Sequence, residues 1–463
     1  MIILVLLSFC FESMRLPLKF CHVVLLFDLI VIGCFDCKAQ RRIVYNEMER
    51  NEDSLVIHEG ILSTKKQRII YKKKGKRIAT IKLSKPVMIA QAVEEEEWGY
   101  FQFPTISKAI DGTLIVSWQM ISDSHLSYGK KTIREFTPME SHDNGLTWQS
   151  QSKNYTSVRR GYNIWLKNGE YLEVNTPPAK DIRNFLFFPK PVYVNGNKYF
   201  YRYEDLPEEL QGIYFYHIKS NGKSEILHSK LTDPELLRYS IDSLMPIVWW
   251  GNIRELSNQS LVAGVYPTFY QDESGSIQPN SVSFYLSNNH GISWETLGKI
   301  PFVYDGIADR IGDKSFDEPA FEILSDSTFL CVLRSGNCSP LYKSFSYDKG
   351  KTWTKAKPFT PNGVKPNLIR LNNGVIALVS GRPGIQIRFC LDGYGQIWTD
   401  PIDMIPFMNR DGSFIRDVSC GYASLIEKDD NSFYLVYSNF ITKNNKGEYR
   451  KSIWCRTVQI VLR

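Results

Sequence analysis

Ser346-Tyr347-Asp348-Lys349-Gly350-Lys351-Thr352-Trp353 has the form Ser-x-Asp-x-Gly-x-Thr-Trp, and each fixed position answers a need of a tight hairpin. The Ser346 and Asp348 side chains can bond backbone groups two or three residues on, as Asx and Ser/Thr turns do. Gly350 supplies positive φ, Thr352 restarts a strand, and Trp353 offers a large ring to pack between layers. The pattern recurs. Ser141-His142-Asp143-Asn144-Gly145-Leu146-Thr147-Trp148 is intact, and Ser287-Asn288-Asn289-His290-Gly291-Ile292-Ser293-Trp294 replaces Asp by Asn and Thr by Ser. A fourth, degenerate copy runs from Cys390 through Asp392 and Gly395 to Trp398, with one inserted residue.

Outward from these boxes, apolar runs pair across Asp-Gly or Asn-Gly turns. The runs are Phe103–Trp118, Tyr162–Val174, Ile253–Val265, Phe321–Leu333, Leu368–Val379 and Ala423–Tyr437. Hairpins at this interval argue for radial repetition. Trp294 to Trp353 is 59 residues and Trp353 to Trp398 is 45, each suited to one four-stranded blade with a variable loop. Trp148 to Trp294 is 146, which reads as two further blades without boxes plus the boxed one. The fold class expected is all-β, a six-bladed β-propeller over 97–463. A strand-rich segment at 40–96 precedes it, and a strand from 439–463 is expected to close the ring with that segment. Pro207–Leu210 and Asp233–Arg238 read as short helical turns in loops. Thr176–Ser243, rich in aromatics such as Phe185, Phe187, Phe188 and Tyr201, reads as filling the second and third blades or as lining a cleft.

Composition fits a large core, with 43% hydrophobic and 13% aromatic residues and no low-complexity tract. A net charge of +7 is modest for 463 residues. The basic run from Lys65 to Arg77 reads as a solvated edge strand, so no nucleic-acid partner is expected. Residues 1–39 read as a signal peptide, with Arg15 and Lys19 before the apolar stretch Cys21–Gly33. Val31-Ile32-Gly33-Cys34 offers a lipobox that would anchor Cys34, and cleavage after Ala39 competes with it. Export to the periplasm, the outer membrane or the medium is the expectation. Cys331, Cys338, Cys390, Cys420 and Cys455 follow the leader at irregular spacing, neither a disulfide framework nor a zinc set, although Cys331 and Cys338 could pair. Neither a metal nor a cofactor is expected.

The boxes resemble the Asp-boxes of the sialidase (neuraminidase) superfamily, and the resemblance runs from about residue 97 to the end. A sialoside carries a carboxylate on its anomeric carbon, which calls for arginine forks and repels an anionic nucleophile. Sialidases therefore use a tyrosine activated by a glutamate, with an aspartate as acid and then base. The resemblance implies Glu318, in Phe316-Asp317-Glu318-Pro319-Ala320, as the activating base and Arg334, sixteen residues on, as a substrate arginine. It implies Tyr422, in Gly421-Tyr422-Ala423-Ser424-Leu425, as nucleophile. Arg382, in Ser380-Gly381-Arg382-Pro383-Gly384, becomes a second substrate arginine, and Asp123 the acid/base. One position departs. The family opens its first blade with aromatic-Arg-Ile-Pro, and this chain has Phe101-Gln102-Phe103-Pro104, so Gln102 stands for an arginine.

The reading that follows is an exo-acting glycoside hydrolase releasing a terminal, acidic sugar from a glycan, with Gln102, Arg334 and Arg382 binding substrate. Two other readings stay open: a polysaccharide lyase or neutral-sugar hydrolase on the same fold, with His125 and His142 to watch, and a non-catalytic glycan-binding propeller.

Overall fold

The computed structural model describes residues 54–59, 67–73, 76–122, 138–151, 162–307, 315–325, 327–336, 339–382, 384–405, 407 and 418–463. The leader with Cys34, the acid/base candidate Asp123, His125 and Cys338 lie outside the described residues. Among those described, Cys331, Cys390, Cys420 and Cys455 are free and buried, and no helix is long and apolar enough to cross a membrane.

The chain is all-β. Its helical content among the described residues is three single 3-10 turns, at Ile182–Asn184, Tyr203–Asp205 and Glu208–Leu210. Three sheets are four-stranded antiparallel meanders. The first runs through Tyr100–Lys108, Leu114–Met120, Met139–Ser141 and Gln149–Ser150. Another takes Asp317–Ile323, Phe329–Arg334, Tyr342–Ser346 and Lys357–Pro358, and the next Val364–Arg370, Ile376–Gly381, Ile385–Cys390 and Ile402–Ile405. An eight-stranded sheet is two more meanders, opening at Asn163–Trp165 and at Trp250–Glu255. Parallel pairing of their outer strands joins them, with Lys230 opposite Ser293.

The last meander joins the two ends of the described chain. Ala423–Asp429, Ser432–Lys443 and Tyr449–Leu462 pair in order, and Tyr449–Leu462 also takes both Lys76–Leu83 and Val87–Gln91 as partners. The opening strands pack side by side around a centre: Tyr100–Lys108 on Ala423–Asp429, that on Val364–Arg370, then Asp317–Ile323, Trp250–Glu255 and Asn163–Trp165. The Trp165 indole N–H, donating to the Lys108 carbonyl at 2.8 Å, ties the second meander back to the first. Apolar clusters fill the gaps from the second meander round to the first, for example Phe284, Phe321 and Phe329 on one side of the Asp317 meander and Leu330, Leu368 and Ile376 on the other. This radial stacking, with few free edges, is that of a β-propeller.

The six expected hairpins all form, with Thr105 opposite Ser117, Glu173 opposite Asn163, Ala263 opposite Ile253, Phe321 opposite Cys331, Leu368 opposite Leu378 and Leu425 opposite Leu435. The interval from Trp148 to Trp294 differs from expectation. It holds one meander without a box, not two. The balance folds as a separate five-stranded sheet of Lys180–Asp181, Tyr193–Asn195, Lys198–Arg202, Leu237–Ile241 and Leu244–Met245. Tyr201, Leu206, Leu210, Met245 and Ile247 are buried in its own small core, with Phe185 and Phe188 against them. Those aromatics therefore fill an added layer and not the blades.

In the box at Ser346 the turn is closed by side chains. The Ser346 hydroxyl donates to Asp348 at 2.8 Å and accepts from the Gly350 N–H at 2.8 Å. Asp348 in turn accepts from the Thr352 N–H at 2.8 Å and from its hydroxyl at 2.6 Å. Gly350 has φ +89°, which an L side chain rarely adopts. The same scheme recurs at Ser141, at Ser287 and, with a thiol in the hydroxyl's place, at Cys390, whose sulfur lies 2.9 Å from an Asp392 oxygen and 3.1 Å from the Gly395 nitrogen.

Candidate active site

Three opening strands share a device. In each, a residue preceding proline has positive φ and the strand pairing slips around it: Phe103 (φ +51°), Glu318 (+46°) and Lys365 (+43°). A bulge of this kind re-aims a side chain, and residues other than glycine pay strain to hold it. All three side chains arrive at Tyr422. The Phe103 ring meets the Tyr422 ring edge to face at 4.6 Å, Glu318 hydrogen-bonds the phenol, and the Lys365 ammonium lies 6.0 Å from the ring centroid.

Tyr422 precedes the opening strand of the last meander and is half-buried. Its Oη donates to Glu318 Oε1 and accepts from Arg334 Nη1 at 3.1 Å. Arg334, at the end of Phe329–Arg334, also pairs with Glu318 Oε2 at 3.0 Å and donates through Nε to the Gly336 carbonyl at 3.0 Å. Glu318 Oε2 accepts a further bond from the Lys365 backbone N–H at 2.8 Å. Burial, with the Glu318 charge beside it, pushes the Tyr422 phenol well above its ordinary range, against the opposing pull of Arg334 and Arg382. The phenol therefore rests protonated, between a carboxylate able to take its proton and a guanidinium able to steady the phenolate left behind.

Arg382 (φ +49°) follows Ile376–Gly381 and lies next to the Tyr422 segment. Its Nε donates to the Cys420 carbonyl at 3.3 Å and its guanidinium lies 5.7 Å from the Trp98 ring centre. Gly421 allows this approach, because a Cβ there would come within 2.8 Å of Arg382 Cγ. Gln102 lies on the strand that carries Phe103. Its side chain is fully buried, and neither amide atom has a hydrogen-bond partner among the described residues.

The structure thus brings together Glu318, Arg334 and Tyr422 in direct contact, with Arg382 adjacent. Asp123 is outside the described residues. Sequence reasoning missed Lys365, Tyr162, Phe103 and Asp317. The Lys365 Nζ donates to the Tyr162 hydroxyl, from the second meander, and lies 4.4 Å from that ring's centre. Asp317 is held by Asn280 Nδ2 at 2.5 Å and the Ser315 hydroxyl at 2.9 Å. One signal was available: Lys365-Pro366 repeats Glu318-Pro319 at blade interval, as does Phe103-Pro104 at the head of the first meander. His142 lies in the first box, bonded to Thr113 and Glu140. Among the described residues no group of His, Cys, Asp and Glu is arranged to hold a metal ion.

No family model matches the sequence, and no curated protein matches it. Solved structures do. A protein of unknown function from Dyadobacter fermentans superposes with a TM-score of 0.52 at 17% identity, covering 81% of this chain and 99% of that one. A Hadza microbial sialidase gives 0.47 at 14% identity, over 87% of this chain and 74% of that one. An α-L-arabinanase of Penicillium chrysogenum, solved with arabinobiose, gives 0.43 at 15% identity, over 81% and 98%. The likeness to the Dyadobacter protein is one of fold.

Proposed function

We propose that this chain is a six-bladed β-propeller glycoside hydrolase that releases a terminal, acidic sugar from a glycan through a tyrosine nucleophile. The six blades are the meanders opening at Tyr100, Asn163, Trp250, Asp317, Val364 and Ala423. The observation that carries the activity is the Tyr422 hydroxyl held between the Glu318 carboxylate and the Arg334 guanidinium. A phenol is a poor nucleophile until it loses its proton, and a hydrogen-bonded carboxylate supplies the base without placing an anion at the anomeric carbon.

In this reading Glu318 takes the proton as Tyr422 attacks, and Asp123 protonates the leaving oxygen and then activates water for the second step. Arg334 and Arg382 bind the substrate's anionic group, with Gln102 as the neutral member of the set. Export through a leader at 1–39, with Cys34 as an optional lipid anchor, belongs to the same proposal.

The test is hydrolysis of a 4-methylumbelliferyl glycoside panel, α-sialosides and neutral sugars, by wild type, Tyr422→Phe and Glu318→Gln. Glu318→Gln should lose about 10²–10⁴-fold in kcat on the substrate turned over, the scale of a general base, and Tyr422→Phe at least as much. Wild-type kcat in Tyr422→Phe would remove the tyrosine mechanism. No turnover of any glycoside, with binding retained, would favour a glycan-binding propeller.

A further inference from the structure

Lys365 is built into the site as firmly as Glu318. Both occupy the bulge of an opening strand, both precede proline at positive φ, and the Lys365 N–H closes on the Glu318 carboxylate at 2.8 Å. From there the side chain reaches Tyr162, from the second meander. The charged and titratable groups beside this residue, whose backbone N–H meets Glu318 and whose ammonium meets Tyr162, can be named. From Asp317–Ile323 comes Glu318, engaged by Arg334 and Tyr422; from the end of Phe329–Arg334 comes Arg334 itself. The Tyr422 phenol is spoken for by Glu318, and Tyr162 offers a hydroxyl and a ring face.

No carboxylate pairs with the Lys365 ammonium among the described residues. A half-buried ammonium whose own contacts are the Tyr162 hydroxyl and two tyrosine rings is held by dipoles and ring quadrupoles but is not neutralised. Burial accordingly pulls the amine down to about 7. This is an arrangement for receiving an anion from outside the chain.

We propose that Lys365 selects the anionic substrate: the carboxylate of the bound sugar replaces the Tyr162 hydroxyl as its hydrogen-bond partner, and the amine takes up one proton from solvent as the anion arrives. The inference deepens the function proposed above and rests on it for the sugar class. The carboxylate supplies a counter-ion that Lys365 does not find among the described residues, and it raises the amine's proton affinity. Anion affinity therefore falls as pH rises above 7, with one proton absorbed per ligand on the alkaline side and none well below it.

The experiment is calorimetric titration of the free sugar acid, N-acetylneuraminic acid, into the wild-type chain at pH 6 and pH 8, in two buffers of different ionisation heat. Lys365→Gln and Lys365→Arg are run beside it. Wild type should absorb close to one proton at pH 8 and none at pH 6. Lys365→Gln should bind at least about tenfold more weakly at pH 6 and absorb none at either pH. Lys365→Arg, always charged, should keep most of the anion affinity without proton uptake, which separates charge from folding. Undiminished affinity in Lys365→Gln, proton uptake persisting in it, or no binding by wild type would overturn the inference. Binding that depends on Lys365 without hydrolysis would leave it standing and remove the proposed reaction. Hydrolysis that depends on Tyr422 but not on Lys365 would do the reverse.

Discussion

Two neighbouring carboxyl groups, Asp317 and Glu318, show how one bulge sorts similar side chains. Glu318 is turned onto Tyr422, Arg334 and the Lys365 N–H, whereas Asp317 is tied to Asn280 and Ser315. Burial, with the Glu318 charge adding to it, raises the Asp317 carboxyl to about 6, against the pull of Ser315, Arg334 and Asn280. A folded-state value above the unfolded value of about 3.9 means that the folded chain binds the extra proton between the two. Stability from this group is therefore present in acid and lost as pH rises through that window. Between pH 4 and 7 the wild type should lose roughly 1–2 kcal/mol relative to Asp317→Asn, after allowance for solvent screening of a partly buried group. Urea unfolding of both proteins across that range reads it, and parallel curves would count against it. At this scale the motifs made Glu318, Arg334 and Tyr422 legible, since each stands in a local context that a single sequence displays. Lys365 was not legible that way. Its place before Pro366 repeats that of Glu318 before Pro319, but only its contacts with Tyr162 and Glu318 give it a role.

At the scale of the element, the box is a turn whose side chains replace a backbone ladder, and its tryptophan couples one sheet to another. Trp353 stacks on Phe284 of the preceding meander at 4.2 Å, and Trp398 meets Phe359 at 5.2 Å. The Ser346 hydroxyl is both donor and acceptor in a fully buried position. Ser346→Ala strands the Gly350 N–H and removes one of the two bonds that Asp348 Oδ1 accepts, and should lower stability by about 1–3 kcal/mol in thermal or urea unfolding. An unchanged midpoint would show that the turn is held by its backbone alone. Hairpins and boxes were readable because turn chemistry and strand alternation are local. The extra sheet in the Trp148–Trp294 interval was not. Its strands are short, Leu244–Met245 being two residues, and their pairing of Lys198–Arg202 with Leu237–Ile241 spans the second meander's outer hairpin.

Across the whole molecule, the ring depends on Tyr449–Leu462 accepting strands from the other end of the described chain. Ile69, Tyr71, Ala79, Ile81, Leu83 and Ile89 are all buried in that junction or beside it. At about 1.5–3 kcal/mol for each large apolar side chain, their burial is on the order of 10 kcal/mol, comparable to the net stability of a typical fold. Removing residues 1–92 should therefore abolish cooperative unfolding and leave an aggregation-prone edge on Tyr449–Leu462. Circular dichroism melts with light scattering test this, and a soluble, cooperatively melting product would refute it.

The sequence by itself determined the repeat. Four Ser-x-Asp-like boxes and six alternating hairpins specify all-β meanders, because a turn's φ angles and a strand's two faces are set by residues within ten positions of each other. It also singled out Glu318 and Tyr422, through their motifs, as residues that the structure then places in contact. Only the tertiary structure decided which residues share the centre. Tyr422 meets Glu318 across 104 positions and Lys365 meets Tyr162 across 203. Such contacts arise from the radial stacking of sheets and leave no periodic trace in the chain. A buried ammonium facing two phenols can be recognised only once the ring is closed around it.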